Sequence, residues 1–195
     1  MKELIFFSHN NHKIKEVKKL LENIDTNILS LHDFPNILKP KENGFSFEEN
    51  AKIKSSYGYK KLKLPCFADD SGICISALNY LPGIKSKRFL EKKGDHGKIF
   101  KNIIDKAKEL SNFYAYFQTS ISLTFDKKTF FFKGIVNGKI STEPKGKYGF
   151  GYDPIFIPKG SGKTFGEMSI KEKNKISHRS QAINKLKKFL INSSN

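Results

Sequence analysis

The class predicted by this 195-residue sequence is α/β, a mixed β-sheet wrapped by helices. Three observations lead there. A short apolar segment, Leu4 to Phe7, passes through the polar loop Ser8-His9-Asn10-Asn11 into a stretch with Ile14, Val17, Leu20, Leu21 and Ile24 at helical spacing, a strand-then-helix order. From Tyr114 to Phe125 the period becomes two, with Ala115, Phe117, Ile121, Leu123 and Phe125 on one face and Tyr116, Gln118, Ser120, Ser122 and Thr124 on the other. Asp126-Lys127-Lys128 then turns into a further strand, Thr129 to Val136, making a hairpin. Crossover strands and a hairpin in one chain argue for a mixed sheet with helices packed on it.

The remaining elements follow in order. Ser46 and Glu49 have the spacing of a capping box and start a second helix that reaches about Leu62. Pro65 ends it, and an apolar strand interrupted by Asp69 and Asp70 comes next. Ile99, Phe100, Ile103, Ile104, Ala107 and Leu110 mark another helix. The last runs from about His178 to Leu190, with Ala182, Ile183, Leu186, Phe189 and Leu190 as its apolar stripe. Nothing repeats and no linker intervenes, so residues 1–195 are expected to form one domain, or one domain with two lobes.

Composition narrows the function classes. No apolar run approaches the roughly 18 residues that span a bilayer, and the first residues lack the apolar length and cleavage site of a signal peptide. A soluble, cytoplasmic protein is expected. Cys66 and Cys74 are too few for a disulfide scaffold and lack zinc-ligand spacing; eight apart, they read as core residues on one strand face. The net charge of +17 suggests nucleic acid. Arginine, however, appears only as Arg88 and Arg179, so 34 of 36 basic residues are lysines, scattered from Lys2 to Lys188 with no basic tail. Bidentate clamping of phosphates and bases favours arginine, so the charge reads as a solvated surface.

Several motifs remain. Phe67-Ala68-Asp69-Asp70-Ser71-Gly72 places two carboxylates inside an apolar strand. A buried carboxylate needs a compensating cation, although Asp, Ser and Gly are also turn residues; alone, the motif reads equally as turn or metal site. Ser8, Asn10 and Lys13 occupy a strand-to-helix loop, where backbone N–H groups and the helix dipole favour phosphate. A lysine in a first helical turn is nevertheless usually solvated. Phe47, Asn50 and Lys54 share a helix face that could turn toward the sheet, with surface exposure the commoner arrangement. Lys147-Tyr148-Gly149-Phe150-Gly151-Tyr152-Asp153-Pro154 reads either as a tight turn with core aromatics or as a loop whose backbone approaches a ligand and whose rings stack on a base. In Glu172-Lys173-Asn174-Lys175-Ile176-Ser177-His178-Arg179, Ser177 can cap the last helix, which leaves His178 and Arg179 in its first turn. Cations there oppose the dipole unless an anion is present.

In this order and spacing the segments resemble the inosine triphosphate pyrophosphatase family, enzymes of non-standard purine nucleoside triphosphates. The matching segments are Ser8 to Lys13, Ser46 to Ala51 with Lys54, Ala68 to Gly72, Phe150 to Pro154, Glu172 to Asn174 and Ile176 to Arg179; Ala77-Leu78, Leu81-Pro82-Gly83, Ser86 and Arg88 also match. The resemblance implies a long curved mixed sheet in two lobes with a central nucleotide cleft, and a homodimer. It implies hydrolysis of ITP, dITP or XTP at the α-phosphorus, giving the monophosphate and pyrophosphate, with Mg²⁺ as cofactor. By position, Asp70 is the implied general base and metal ligand, supported by Asp69. Ser8, Asn10, Lys13 and Lys54 are implied for the phosphate chain and Ser71 for a substrate contact. Phe150, in the segment with Gly151 and Tyr152, is implied to stack on the purine, while Asp153, Lys173, His178 and Arg179 read its edge. The alignment places Lys41 where the family carries a second acidic metal ligand, so either Glu42 takes that role or the metal is held chiefly by Asp70, phosphate oxygens and water. Two other readings stand beside this one: a related pyrophosphatase preferring pyrimidine nucleotides, and a basic nucleic-acid-binding protein.

Overall fold

The computed structural model describes residues 2–193, apart from the side chains of residues 92 and 93. In chain order the elements are β1 (Glu3–Phe6), α1 (Asn11–Leu20), β2 (Asn27–Ser30), α2 (Phe47–Leu62), β3 (Cys66–Ile75), α3 (Ser86–Lys93), α4 (His96–Glu109), β4 (Tyr114–Phe125), β5 (Lys128–Ile140), β6 (Phe156–Pro158), α5 (Ile170–Ile176) and α6 (His178–Asn192). The strands form one sheet in the order β2-β1-β3-β4-β5-β6. It is mixed: β1 runs parallel to β2 and to β3, whereas β5 and β6 are antiparallel. The expected α/β class and the β4–β5 hairpin are therefore present. Asp126 and Lys127, both at positive φ, make the two-residue turn between those strands.

The chain divides into two compact units. The first comprises the chain up to Asp70, Thr119–Gly134 and the chain from Arg179 on; the second comprises Ser71–Gln118 and Ile135–His178. In the first unit β1 is buried on both faces. Leu4 and Phe6 join Ile14, Val17 and Leu21 around α1 and Ala182, Ile183, Leu186 and Leu190 of α6. Ile5 and Phe7 join Leu31, Cys66 and Ala68, with Tyr57, Tyr59 and Leu62 of α2 packed against them. This two-sided burial is why β1 reads as an unbroken apolar run. The second unit has its own core, in which Phe117, Phe156 and Phe165 pack with Ile103, Ile140 and Ile155.

Two features of the first unit differ from what periodicity suggests. In this unit the second face of β4 is buried as well, at Ser120, Ser122 and Thr124: Ser55 Oγ of α2 lies 2.7 Å from Ser122 Oγ and 2.9 Å from Thr124 Oγ1, so the hydroxyls satisfy one another away from water. At the start of α2, Ser46 Oγ accepts from Glu49 N–H as a capping box requires, but the Glu49 carboxylate accepts from Phe45 N–H, one residue earlier than the motif predicts. Four elements escaped the sequence reading: β2, α3, β6 and α5, all of eight residues or fewer.

Gly58, in the middle of α2, is where the helix comes closest to the sheet. A Cβ there would overlap Cys66 Sγ and stand 2.5 Å from the Phe7 ring. Alanine would gain about 1 kcal/mol in helix propensity, while overpacking of a filled site costs about 1–3 kcal/mol. Gly58→Ala is therefore expected to lower stability despite the better helix former. Chemical denaturation of the two proteins checks this, and an equal or higher midpoint for the variant would contradict the packing argument.

Candidate active site

β3 runs without a break from Cys66 to Ile75, so the Asp-Asp motif is extended strand and not a turn. Successive side chains leave a strand on opposite faces. Asp69 thus shares the face of Phe67, toward α1 and α6, and Asp70 shares the face of Cys66 and Ala68, toward α2. Each carboxylate meets its own partners.

Asp69 is 4% exposed. Lys13 Nζ lies 2.8 Å from its Oδ2 and Arg179 Nε 3.6 Å from the same oxygen. Arg179 also pairs with the buried carboxylate of Glu16. Burial alone would raise the Asp69 pKa, but Lys13, Arg179 and Lys54 together hold it well below the usual carboxylate range. Burial in turn lowers the Lys13 pKa against the pull of Asp69. Lys13 is consequently an internal ion-pair partner, not the solvated lysine its position suggests. Its backbone N–H closes the loop by donating to Asn10 Oδ1 at 3.2 Å, while Asn10 N–H donates to Ser8 Oγ, also at 3.2 Å. Arg179 lies in the first turn of α6 (His178–Asn192), against the helix dipole, and the anions that this placement demands are Glu16 and Asp69.

Asp70 faces α2. Lys54 Nζ is 3.4 Å from its Oδ1 and 2.9 Å from Glu42 Oε2, so the two carboxylates converge on one cation position. Asn50 Nδ2 donates to Asp70 Oδ2 at 3.3 Å. Phe47 and Asn50 are buried and Lys54 nearly so, which turns their shared face inward instead of leaving it exposed. Burial raises the Asp70 pKa; Lys54 and Lys13 work against the rise, and Glu42 and Asp69 add to it. Lys54 is raised in spite of its burial because Asp70, Glu42 and Asp69 surround it. Two neighbouring carboxyls are thereby pushed in opposite directions, Asp69 locked as an anion and Asp70 toward higher proton affinity, an arrangement found where acid–base work is divided. Lys41 is exposed, and Glu42 is the acidic side chain that reaches this group.

The other expected residues lie in the second unit. Asp153 Oδ2 accepts from Phe150 N–H at 2.7 Å and from Lys173 Nζ at 2.7 Å. Lys173 Nζ also sits 5.0 Å from the centroid of the Phe150 ring and 5.5 Å from that of Phe165. Gly149 has φ +75, and a Cβ there would strike the Asp153 carboxylate, so the loop closes around Asp153 only with glycine at this position. Gly151 is likewise at positive φ. Tyr152 is a core residue whose hydroxyl donates to Ser86 C=O at 3.0 Å, whereas Phe150 is half-buried; the loop combines both of its sequence readings. His178 stacks on Phe117 with centroids 4.7 Å apart and planes 7° from parallel. Ser71 is a half-buried residue of β3. The reading of Ser177 as a cap falls at the junction of two helices, since it also ends α5 in an extended conformation.

A family model described as the Ham1 family matches residues 4–189. The chain belongs to the Ham1 family. Among curated proteins it is 40% identical over 193 residues to a dITP/XTP pyrophosphatase of Bacillus subtilis (strain 168), with 97% of this chain and 98% of that protein covered. It is 36% identical over 195 residues to a dITP/XTP pyrophosphatase of Porphyromonas gingivalis (strain ATCC BAA-308 / W83), covering 98% of each. Among solved structures, a HAM1 protein from Coxiella burnetii superposes with a TM-score of 0.89 at 34% identity, covering 98% of this chain and all of that one. The Ham1 protein of Staphylococcus aureus gives a TM-score of 0.87 at 36% identity with the same coverage.

In this Ham1-family chain, sequence reasoning passed over three residues that the fold draws into these groups. Glu16 lies three residues after Lys13 on α1, an i,i+3 relation that marks a shared face and was a usable signal. Asn50 shares the helix face of Phe47 and Lys54 and carries no signal beyond that spacing. Phe117, the partner of His178, carried no signal beyond its place in the apolar face of β4.

The Lys173–Asp153 pair is a further buried ion pair, in the second unit, with both side chains at most 4% exposed. Taking the cation from such a pair costs about 3–5 kcal/mol. Lys173→Met is expected to lose stability on that scale, with partial recovery in Lys173→Met/Asp153→Asn, where the stranded charge is gone. Thermal and denaturant unfolding measure both, and a single variant as stable as the parent would show that the pair contributes nothing.

Proposed function

We propose that this protein hydrolyses non-standard purine nucleoside triphosphates, dITP, XTP and ITP, to the monophosphate and pyrophosphate. One observation carries the reading: the chain aligns over nearly its whole length with proteins named dITP/XTP pyrophosphatase. The charged groups of the first unit supply what that chemistry needs.

Asp70 is the proposed general base. Its raised proton affinity suits a carboxylate that takes a proton from water as the water oxygen attacks the α-phosphorus. The bond from the α-phosphorus to the bridging oxygen breaks, and pyrophosphate leaves with the electron pair. Asp69 supports the step by keeping Lys13 and Arg179 in place. An ammonium has three donors, so Lys13 and Lys54 can hold their carboxylates and still offer N–H groups to phosphate oxygens, with Ser8 and Asn10 in the loop between β1 and α1 adding polar contacts. Ser71 is assigned a substrate contact. Phe150 offers a stacking face for the purine, and the loop through Gly151 and Tyr152 carries it. Asp153, Lys173, His178 and Arg179 are assigned to the base edge. A pocket that hydrogen-bonds a 6-keto group rejects a 6-amino group strongly, by a factor on the order of 10⁴, because its buried donors would be left unpaired.

The residues fit a magnesium ion. Asp70 and Glu42 present hard oxygen donors to a common position that the Lys54 ammonium already approaches. Among the described residues no group of three or more His, Cys, Asp or Glu forms a ready-made cage, which suits Mg²⁺, an ion that takes one or two carboxylates and fills its shell with phosphate and water. When bound it would offset charge on the phosphate oxygens. A cytoplasmic location and a homodimer belong to the same proposal. Among the described residues no helix is long and apolar enough to cross a membrane.

The test is pyrophosphate release with Mg²⁺ from ITP, dITP and XTP beside ATP, GTP, CTP and UTP, using the parent and Asp70→Asn. Release confined to the inosine and xanthine nucleotides is expected. The nearly isosteric variant should lose about 10²–10⁴ in kcat while staying folded. Preference for CTP or UTP would assign the chain a pyrimidine substrate, and an active Asp70→Asn would remove Asp70 from the mechanism.

A further inference from the structure

Asn50 joins the two carboxylate-bearing segments that meet at Lys54. The residue is 3% exposed. Its Oδ1 accepts from Gly44 N–H at 2.9 Å, and its Nδ2 donates to Asp70 Oδ2 at 3.3 Å. Gly44 is two residues from Glu42, whose carboxylate holds Lys54 Nζ, and the same Nζ reaches the other oxygen of Asp70. The contacts close a ring: Asn50 to Asp70, Asp70 to Lys54, Lys54 to Glu42, and along the chain from Glu42 through Gly44 back to Asn50.

Within that ring the amide has one workable orientation. Gly44 N–H can only donate, so it requires the Asn50 carbonyl oxygen and leaves the NH₂ group to face Asp70. Turned over, the amide would set donor against donor at Gly44 and oxygen against carboxylate at Asp70. The close approach also accounts for the glycine, because a Cβ at position 44 would come within 2.9 Å of Asn50 Oδ1 and 2.7 Å of Glu49 Cβ. Neither Asn50 nor Gly44 belongs to the residues assigned above to substrate or metal.

We infer that Asn50 is a positioning residue: its amide, oriented by the Gly44 N–H, fixes the plane of the Asp70 carboxylate and ties it to the segment that carries Glu42. With Oδ2 engaged by Asn50, Oδ1 is the oxygen presented toward Lys54 and Glu42. The inference rests on the reading of Asp70 as the reacting carboxylate. Partners that orient a reacting or ligating carboxylate typically matter 10–100-fold when removed.

The experiment compares Asn50→Ala, Gly44→Ala, the double variant and Asp70→Asn with the parent. Folding is followed by circular dichroism and thermal unfolding, kcat and KM with dITP, and Mn²⁺ binding without nucleotide by electron paramagnetic resonance. Asn50→Ala should lower kcat about 10–100-fold, leave KM within about twofold of the parent, and weaken Mn²⁺ binding. Gly44→Ala displaces the same amide from the other side and should shift kcat and Mn²⁺ affinity in the same direction; the double variant should be no worse than Asn50→Ala, since both break one link. Gly44→Ala decides the matter should Asn50→Ala fail to fold. A folded Asn50→Ala with parental kcat and Mn²⁺ binding, a loss confined to KM, or additive effects in the double variant would overturn the inference. If Asp70→Asn is inactive in that case, the reading of Asp70 survives and only the role of Asn50 falls. An Asp70→Asn that turns over at the parental rate brings both down.

Discussion

Asp69 and Asp70 are neighbours on a buried strand, and the alternation of an extended backbone sends their side chains to opposite faces. Neither carboxylate can remain charged out of water without compensation, so each must draw positive charge from whatever packs on its own side. For Asp69 that is Lys13 of α1 and Arg179 of α6; for Asp70 it is Lys54 of α2. Much of the first unit follows from this requirement. The polar residues of three helices turn inward, Glu16 balances Arg179, and the strand stays extended through a sequence that would otherwise suit a turn.

The two environments differ in kind. Asp69 faces two cations with one oxygen, Lys13 at 2.8 Å and Arg179 Nε at 3.6 Å, and is locked as an anion, a poor base and a good anchor. Asp70 shares its lysine with Glu42, lies near a second acid in Asp69, and burial pushes its pKa up from the ordinary aspartate value. Two chemically identical side chains are thus given opposite proton affinities without any change of residue type. In the second unit the same economy appears around Asp153, which fixes the Phe150 backbone with the oxygen that also receives Lys173.

How much of this was legible in the sequence depends on range. The amphipathic helices, the β4–β5 hairpin and the Asp-Asp strand have local signatures and were readable. β2 is a four-residue strand without alternation, and α5 is a seven-residue helix of mostly charged residues, so neither carries enough periodicity to stand out; the Ser169–Glu172 capping box was the one available sign of α5. The charged residues of these groups could be singled out in the sequence, but their partnerships could not. Nothing local to Arg179 names Glu16, 163 positions away, as its partner. The misplacement of His178 and Arg179 in a first helical turn did signal that anions were waiting. Taken alone, Lys13 and Lys54 read as surface lysines because most lysines are, and only the packed strand shows that both are largely withdrawn from solvent.

The opposite shifts of Asp69 and Asp70 can be observed directly. Carbon-13 NMR of aspartate side-chain carboxyls, titrated in the metal-free protein and assigned with Asp69→Asn and Asp70→Asn, follows each group separately. The account predicts that the Asp69 resonance stays at its ionised position through the ordinary carboxylate range near pH 4, while the Asp70 resonance titrates at a higher pH than an unperturbed aspartate. Two carboxyls titrating together near pH 4, or Asp69 taking up its proton before Asp70, would contradict it.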